Sequence, residues 1–220
     1  MAISNFTEDE KYKSFQELAC STKLTEGIHN KLKCLSVLNI FLPVTAFLGN
    51  TLIIVALHKE SSLHPPSKLL LRNLTTTDLC VGIIVQPLVV TYFMSAMNER
   101  WNICRYAYVA ALITGYILTS VSLFTLTAIS VDRLLALLLA LRYRQVVTLK
   151  RSYVSVILFW ISCIVGVSTM YFWNFVLLWW CAKIIIPLCL VTSVYCYTKI
   201  FLTLRHHQNQ VQENVQGEES

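Results

Sequence analysis

Five long apolar stretches constrain this chain more than any other feature. They fall at about 35–57, 69–94, 106–131, 153–173 and 177–203. The hydrocarbon core of a bilayer is about 30 Å thick, and roughly 20 apolar residues are needed to cross it as helix. Inside hydrocarbon every backbone N–H and C=O has to find a partner within the protein, which helices achieve segment by segment. The expected fold class is therefore all-α, a polytopic transmembrane helix bundle with five spans. Composition agrees: the 220 residues are 55% hydrophobic and only 14% charged, with a mean hydropathy of +0.59. A soluble domain of this size needs far more polar surface. The fourth and fifth stretches nearly touch, so the loop between them has to be very short.

The basic residues lie between the apolar stretches, which suits loops on one membrane face and not a nucleic-acid patch. Lys59, Lys68 and Arg72 flank the turn after the first stretch, and Arg133, Arg142, Arg144, Lys150 and Arg151 follow the third. The opposite loops hold Arg100 and Arg105, and Lys183 near the start of the fifth stretch runs against the trend. The excess of Lys and Arg marks the first set as cytoplasmic. The N-terminus is then outside, and five spans leave the C-terminus in the cytoplasm. Residues 1–34 read as an extracellular tail with no secretory leader, because Glu8, Asp9, Glu10, Lys11 and Lys13 occupy its start. Asn5-Phe6-Thr7 is a candidate glycosylation site. Residues 206–220 (HHQNQVQENVQGEES) read as a disordered cytoplasmic tail.

Polar groups inside spans are costly, so each is a functional candidate. Asp78 in the second stretch is the strongest, with Asn50 in the first and Ser122 in the third as prospective neighbours. Most Ser and Thr of the third stretch read as interhelical packing groups. Asp132 and Arg133 sit side by side at the end of that stretch. Enzyme chemistry finds no support: H-E-x-x-H, G-x-S-x-G, P-loop and Rossmann patterns are all missing. No metal ligands or cofactor are expected, since the histidines are scattered and adjacent His206 and His207 would point to different helix faces. A transporter would call for matching halves, which the two interrupted stretches with Pro87 and Pro187 do not supply.

Six features in order resemble the rhodopsin-like (class A) family of G-protein-coupled receptors. Gly49-Asn50 is similar to the first-helix motif, and Asn73-Leu74-Thr75-Thr76-Thr77-Asp78-Leu79 to the second-helix N-L-x-x-x-D-L. Asp132-Arg133-Leu134 resembles the third-helix D-R-Y with leucine in place of tyrosine, and Leu141-Arg142-Tyr143-Arg144 the loop that follows. Trp160 resembles the fourth-helix tryptophan, and Pro187 with Tyr195 the fifth-helix proline and tyrosine. The match covers about 35–205.

The resemblance implies ligand-dependent signalling through a heterotrimeric G protein at the plasma membrane. It implies that Asp132 holds Arg133 until activation releases it toward the G protein. Arg142, Tyr143 and Arg144 would face that partner, with Tyr195 part of the coupling end. Asp78, Ser122 and Asn50 would correspond to a sodium pocket, and Trp160 and Pro187 would be structural. The sixth-helix C-W-x-P and seventh-helix N-P-x-x-Y motifs are absent from these residues. That implies a chain incomplete for signalling, or one that associates with a full-length receptor chain and modulates it. Cys104 resembles the cysteine at the entrance to the third helix, with Cys181 its candidate disulfide partner and Cys20 or Cys34 the alternatives. The ligand is unidentified. The third stretch carries Gly115 where amine receptors carry an acid, which disfavours a monoamine, and membrane lipids complete the expected surroundings.

Overall fold

The computed structural model describes residues 19–20, 29–60, 62–173 and 175–218. Asn5 and most of the tail that contains it lie outside these residues. All the long elements are helices: α1 (His29–Lys59), α2 (Pro65–Cys80), α3 (Gln86–Met97), α4 (Trp101–Leu139), α5 (Tyr143–Val146), α6 (Leu149–Trp173) and α7 (Phe175–Glu218). A π-helical turn, Val81–Val85, joins α2 to α3, so the two make one span. Among the described residues, five helical segments are long and apolar enough to cross a membrane: Phe41–Lys59, Pro65–Met97, Trp101–Leu139, Leu149–Trp173 and Trp179–Gln210. The chain is a transmembrane helix bundle, and each expected span is present.

Several helices outrun the apolar stretches that announced them. The 39 residues of α4 measure about 58 Å at 1.5 Å per residue, far more than the hydrocarbon thickness. Apolarity marks where lipid begins; it does not stop a helix. The same reasoning corrects the expectation of a disordered tail from residue 206, because α7 runs on to Glu218. No proline or glycine follows Pro187 until Gly217, and Gln, Glu, Arg and Leu are good helix formers. Extending an existing helix also avoids the cost of nucleation.

The third span is the centre of the bundle. α4 packs against α2, α3, α6 and α7, while α1 lies outside against α2 and α3. Val121, Thr125, Cys104 and Ser130 of α4 are fully buried. The outer face of α1 is open, with Phe41 65% and Leu52 70% exposed, as suits side chains facing lipid. Gly82, in the π-helical turn, faces the first span: a Cβ there would make ordinary van der Waals contact with Ala46 and with the Pro43 carbonyl oxygen at 3.7 Å. After α4 the chain breaks at Ala140, which has φ 40°, and a 3₁₀ turn, Ala140–Arg142, leads into α5.

Candidate functional site

Asp132 lies at the last turns of α4 and is 4% exposed. A carboxylate so deep needs donors. Ser67 Oγ donates to Oδ2 at 2.6 Å, and Tyr143 Oη donates to Oδ1 at 2.7 Å. The two hydroxyls also lie 3.2 Å apart, and the His64 ring sits 5.1 Å from the Tyr143 ring. Local sequence explains the meeting. Pro65-Pro66 starts α2 two residues before Ser67, as proline favours the first helical turn. The break at Ala140 folds α5 back, so that Tyr143 returns beneath Asp132.

This differs from the arrangement the resemblance implied. Asp132 was expected to hold Arg133, but both of its oxygens are taken by hydroxyls from α2 and α5. Adjacent residues on a helix point to different faces, so Arg133 turns away and makes no ion pair or hydrogen bond among the described residues. Tyr143 was expected to face a partner with Arg142 and Arg144. Instead Tyr143 is buried, while Arg142 and Arg144 are exposed. Burial is the main influence on the Tyr143 phenol and raises its pKa above the usual tyrosine value. The bond to Ser67 works the other way, the bond to Asp132 and the Asp132 charge raise it further, and the Arg133 charge lowers it. The phenol therefore stays protonated at neutral pH and remains a donor. Tyr195 is exposed on α7, with Lys199 Nζ 6.0 Å from its ring centroid.

A second polar network crosses the middle of the bundle. Ser122 Oγ lies 3.0 Å from Asp78 Oδ1 and 2.7 Å from Thr77 Oγ1. Thr125 Oγ1 accepts from the Asn73 amide at 2.8 Å. Trp160 Nε1 donates to Asn73 Oδ1 at 3.0 Å, so the expected packing anchor of the fourth span is also a hydrogen-bond anchor to the second. Asp78 and Ser122 meet as expected. Asn50 does not join them by a hydrogen bond, because its amide donates to the Ala46 carbonyl of its own helix at 2.9 Å. Pro187 lies within α7, which continues through it. Among the described residues no group of three or more His, Cys, Asp or Glu is placed to hold a metal.

The disulfide candidate Cys181 is corrected in favour of Cys20, one of the two alternatives. Cys104 pairs with Cys20, with 6.1 Å between the Cα atoms, and Cys181 is a free thiol. Cys104 packs with Cys20 and Ala96, under Tyr92 and Trp101, and Tyr92 Oη donates to the Ala19 carbonyl at 3.1 Å. Cys181 instead lines a cavity whose first α4 residue is Ala111. Ala111 lies seven residues beyond Cys104, about 10 Å along the helix. A disulfide requires Cα atoms within about 7 Å.

Ser67, His64, Asn73, Thr77 and Thr125 were not singled out as site residues from the sequence. A signal existed in part. Asn73 and Thr77 are four apart, and Ser122 and Thr125 are three apart, so each pair shares a helix face. Nothing local marks Ser67, which lies 65 residues from Asp132.

Residues 49–176 match the family model described as 7 transmembrane receptor (rhodopsin family). The chain belongs to the rhodopsin family of seven-transmembrane receptors. Among curated proteins, this receptor chain is similar to adenosine receptor A3 of Canis lupus familiaris, at 32% identity over 136 residues, covering 61% of the chain and 42% of that protein. Adenosine receptor A2b of Rattus norvegicus is 29% identical over 138 residues, covering 62% and 40%. Muscarinic acetylcholine receptor M3 of the same species is 32% identical over 136 residues, covering 61% and 23%. The receptor chain thus spans about two fifths of the length of the adenosine receptors it matches.

Proposed function

We propose that this chain forms a ligand-responsive, G-protein-coupling body at the plasma membrane, with 35–205 as its transmembrane domain. In this reading the Asp132 end faces the cytoplasm and the Cys104 end faces outside. Membership of a receptor family supports it, as does the distribution of Lys and Arg. One observation carries it furthest: Asp132 is satisfied without Arg133. Among the described residues the arginine has no ion-pair or hydrogen-bond partner, and it lies half-buried at the end where Arg142 and Arg144 are exposed. A protein partner with carboxylate or carbonyl acceptors would find three guanidinium groups there.

The lock and its release follow from that geometry. Ser67 and Tyr143 hold Asp132, tying α4 to the start of α2 and to α5. A partner that captures Arg133 pulls on the turn next to Asp132 and competes with these two bonds, so the cluster is a two-state element that coupling biases. The Asp78 carboxylate and Ser122 hydroxyl would serve a hard monovalent cation, for which oxygen donors suit. Asn50 would contribute only after giving up its bond to Ala46.

The test is nucleotide exchange on a purified heterotrimeric G protein in vesicles. The chain is assayed alone and joined to the remaining spans of adenosine receptor A3. Basal exchange above empty vesicles, lost in Arg133→Ala with membrane insertion intact, is expected. Exchange that Arg133→Ala leaves unchanged sinks the coupling role.

A further inference from the structure

Between Asp132 and Glu213 the chain contains no aspartate or glutamate. Five cations fall in the first part of that run: Arg133, Arg142, Arg144, Lys150 and Arg151. The last two belong to the first turn of α6. The 25 residues of α6 measure about 37 Å at 1.5 Å per residue, against a hydrocarbon core of about 30 Å. Its first turn therefore stands level with the lipid headgroups.

Three observations show what this turn faces. Lys150, Val154, Ile157, Ile161 and Ile164 recur at three- and four-residue spacing, which places them on one helix face. All five are exposed, whereas Ser152 and Cys163 on the other side are buried in the bundle. Lys150 is thus the end of a lipid-facing stripe. Tyr153, one turn further in, is 50% exposed; at a membrane boundary a tyrosine rests its ring on apolar groups and keeps its hydroxyl in water. The chain just before α6 interleaves apolar and basic side chains, with Val146 41% and Leu149 43% exposed beside exposed Arg144, Lys150 and Arg151. Arg151 Nη1 donates to the Val146 carbonyl at 2.8 Å, which fixes the guanidinium against that loop and leaves its other N–H groups to donate elsewhere.

We infer that the α5–α6 turn is a binding site for the headgroup of an anionic phospholipid in the cytoplasmic leaflet. Lys150 and Arg151 meet the phosphate and its neighbouring negative charge, and Val146, Leu149 and Tyr153 rest against the glycerol and the first acyl carbons. The charges are complementary, because that leaflet carries the anionic lipids and this stretch carries no acid. A lipid already presents its phosphate at this depth along the wall of the span, whereas a cytoplasmic protein would have to displace lipid to reach the same face. The site rests on the proposed function in one respect, that the Asp132 end is cytoplasmic.

The full chain is placed in nanodiscs of equal phosphatidylcholine and phosphatidylserine, and the lipids it retains on release are counted by native mass spectrometry. Both leaflets have the same composition, so the readout depends neither on orientation nor on a G protein. Preferential retention of phosphatidylserine is expected. Lys150 makes no hydrogen bond or ion pair among the described residues, so Lys150→Gln should leave the fold intact and lower the preference roughly fivefold, the worth of one cation near an anionic surface. Adding Arg151→Gln should lower it by a similar factor again. Arg100→Gln with Arg105→Gln, an equal loss of charge at the opposite end, should leave it unchanged, and soluble glycerophosphoserine should not displace the lipid. Equal retention of the two lipids, or an equal loss in the Arg100 and Arg105 variant, overturns the site. Displacement by glycerophosphoserine overturns the lipid as its occupant. A Lys150 and Arg151 variant that keeps the preference but loses nucleotide exchange in phosphatidylcholine vesicles assigns these cations to a protein partner and overturns it too. A Lys150-dependent preference in a chain that shows no exchange supports the lipid site while sinking the coupling role.

Discussion

Tyr143→Phe isolates one hydrogen bond at the Asp132 cluster. The substitution keeps the ring, its burial and its contact with the His64 ring, and removes only the Oη that donates to Asp132 Oδ1 at 2.7 Å. Asp132, 4% exposed, retains the Ser67 donor at 2.6 Å and loses the other. A hydrogen bond to a charged group contributes about 1.5–3 kcal/mol. If releasing Asp132 is part of the change that frees Arg133 for a partner, the equilibrium shifts by roughly 10- to 100-fold, at about 1.4 kcal/mol per tenfold. The assay is basal nucleotide exchange by the rejoined chain beside its thermal midpoint in nanodiscs. Raised exchange with a midpoint lowered by several degrees is expected. Ser67→Ala should act in the same direction, since it removes the other donor. A Tyr143→Phe protein with unchanged midpoint and unchanged exchange would refute the reasoning, because a buried carboxylate cannot lose a donor without consequence unless water replaces it.

Three further outcomes are expected. The Tyr143 phenol has a raised pKa in the folded chain, so its contribution is fully present below the unfolded value of about 10 and is lost as pH rises through the folded value. Thermal midpoints should therefore be insensitive to this group near neutrality and fall in strong alkali, and Tyr143→Phe should flatten that part of the profile. Trp160→Phe leaves Asn73 Oδ1 without the donor now at 3.0 Å and should cost about 1–3 kcal/mol, read as a lower midpoint that Asn73→Leu in the same background partly restores. Peptide mapping without reduction should recover Cys20 joined to Cys104 and Cys181 alkylated; a Cys104–Cys181 peptide would contradict the fold at that end.

The number and type of spans were legible in the sequence because a bilayer imposes one length and one polarity on every crossing segment. Asp78 and Asp132 were legible as candidates for the same reason: a carboxylate in or beside hydrocarbon is too costly to be incidental. Helix ends were less legible. Hydropathy reports where lipid lies, whereas α4 and α7 run on under their own propensity. The partner of Cys104 could not be read from motif order, because it depends on which chain segment crosses the end of α3.

The sequence by itself determined a five-span helical membrane chain, the positions of the acids Asp78 and Asp132 in or beside its spans, and the family it resembles. All of these depend on local composition and on residues close together in the chain. Only the tertiary structure decided that Asp132 is held by Ser67 and Tyr143 and leaves Arg133 without a partner among the described residues. Only it decided that Trp160 reaches Asn73. Those pairings join residues up to 87 apart in the chain, and their donors find acceptors only after the helices have packed and fixed which faces meet.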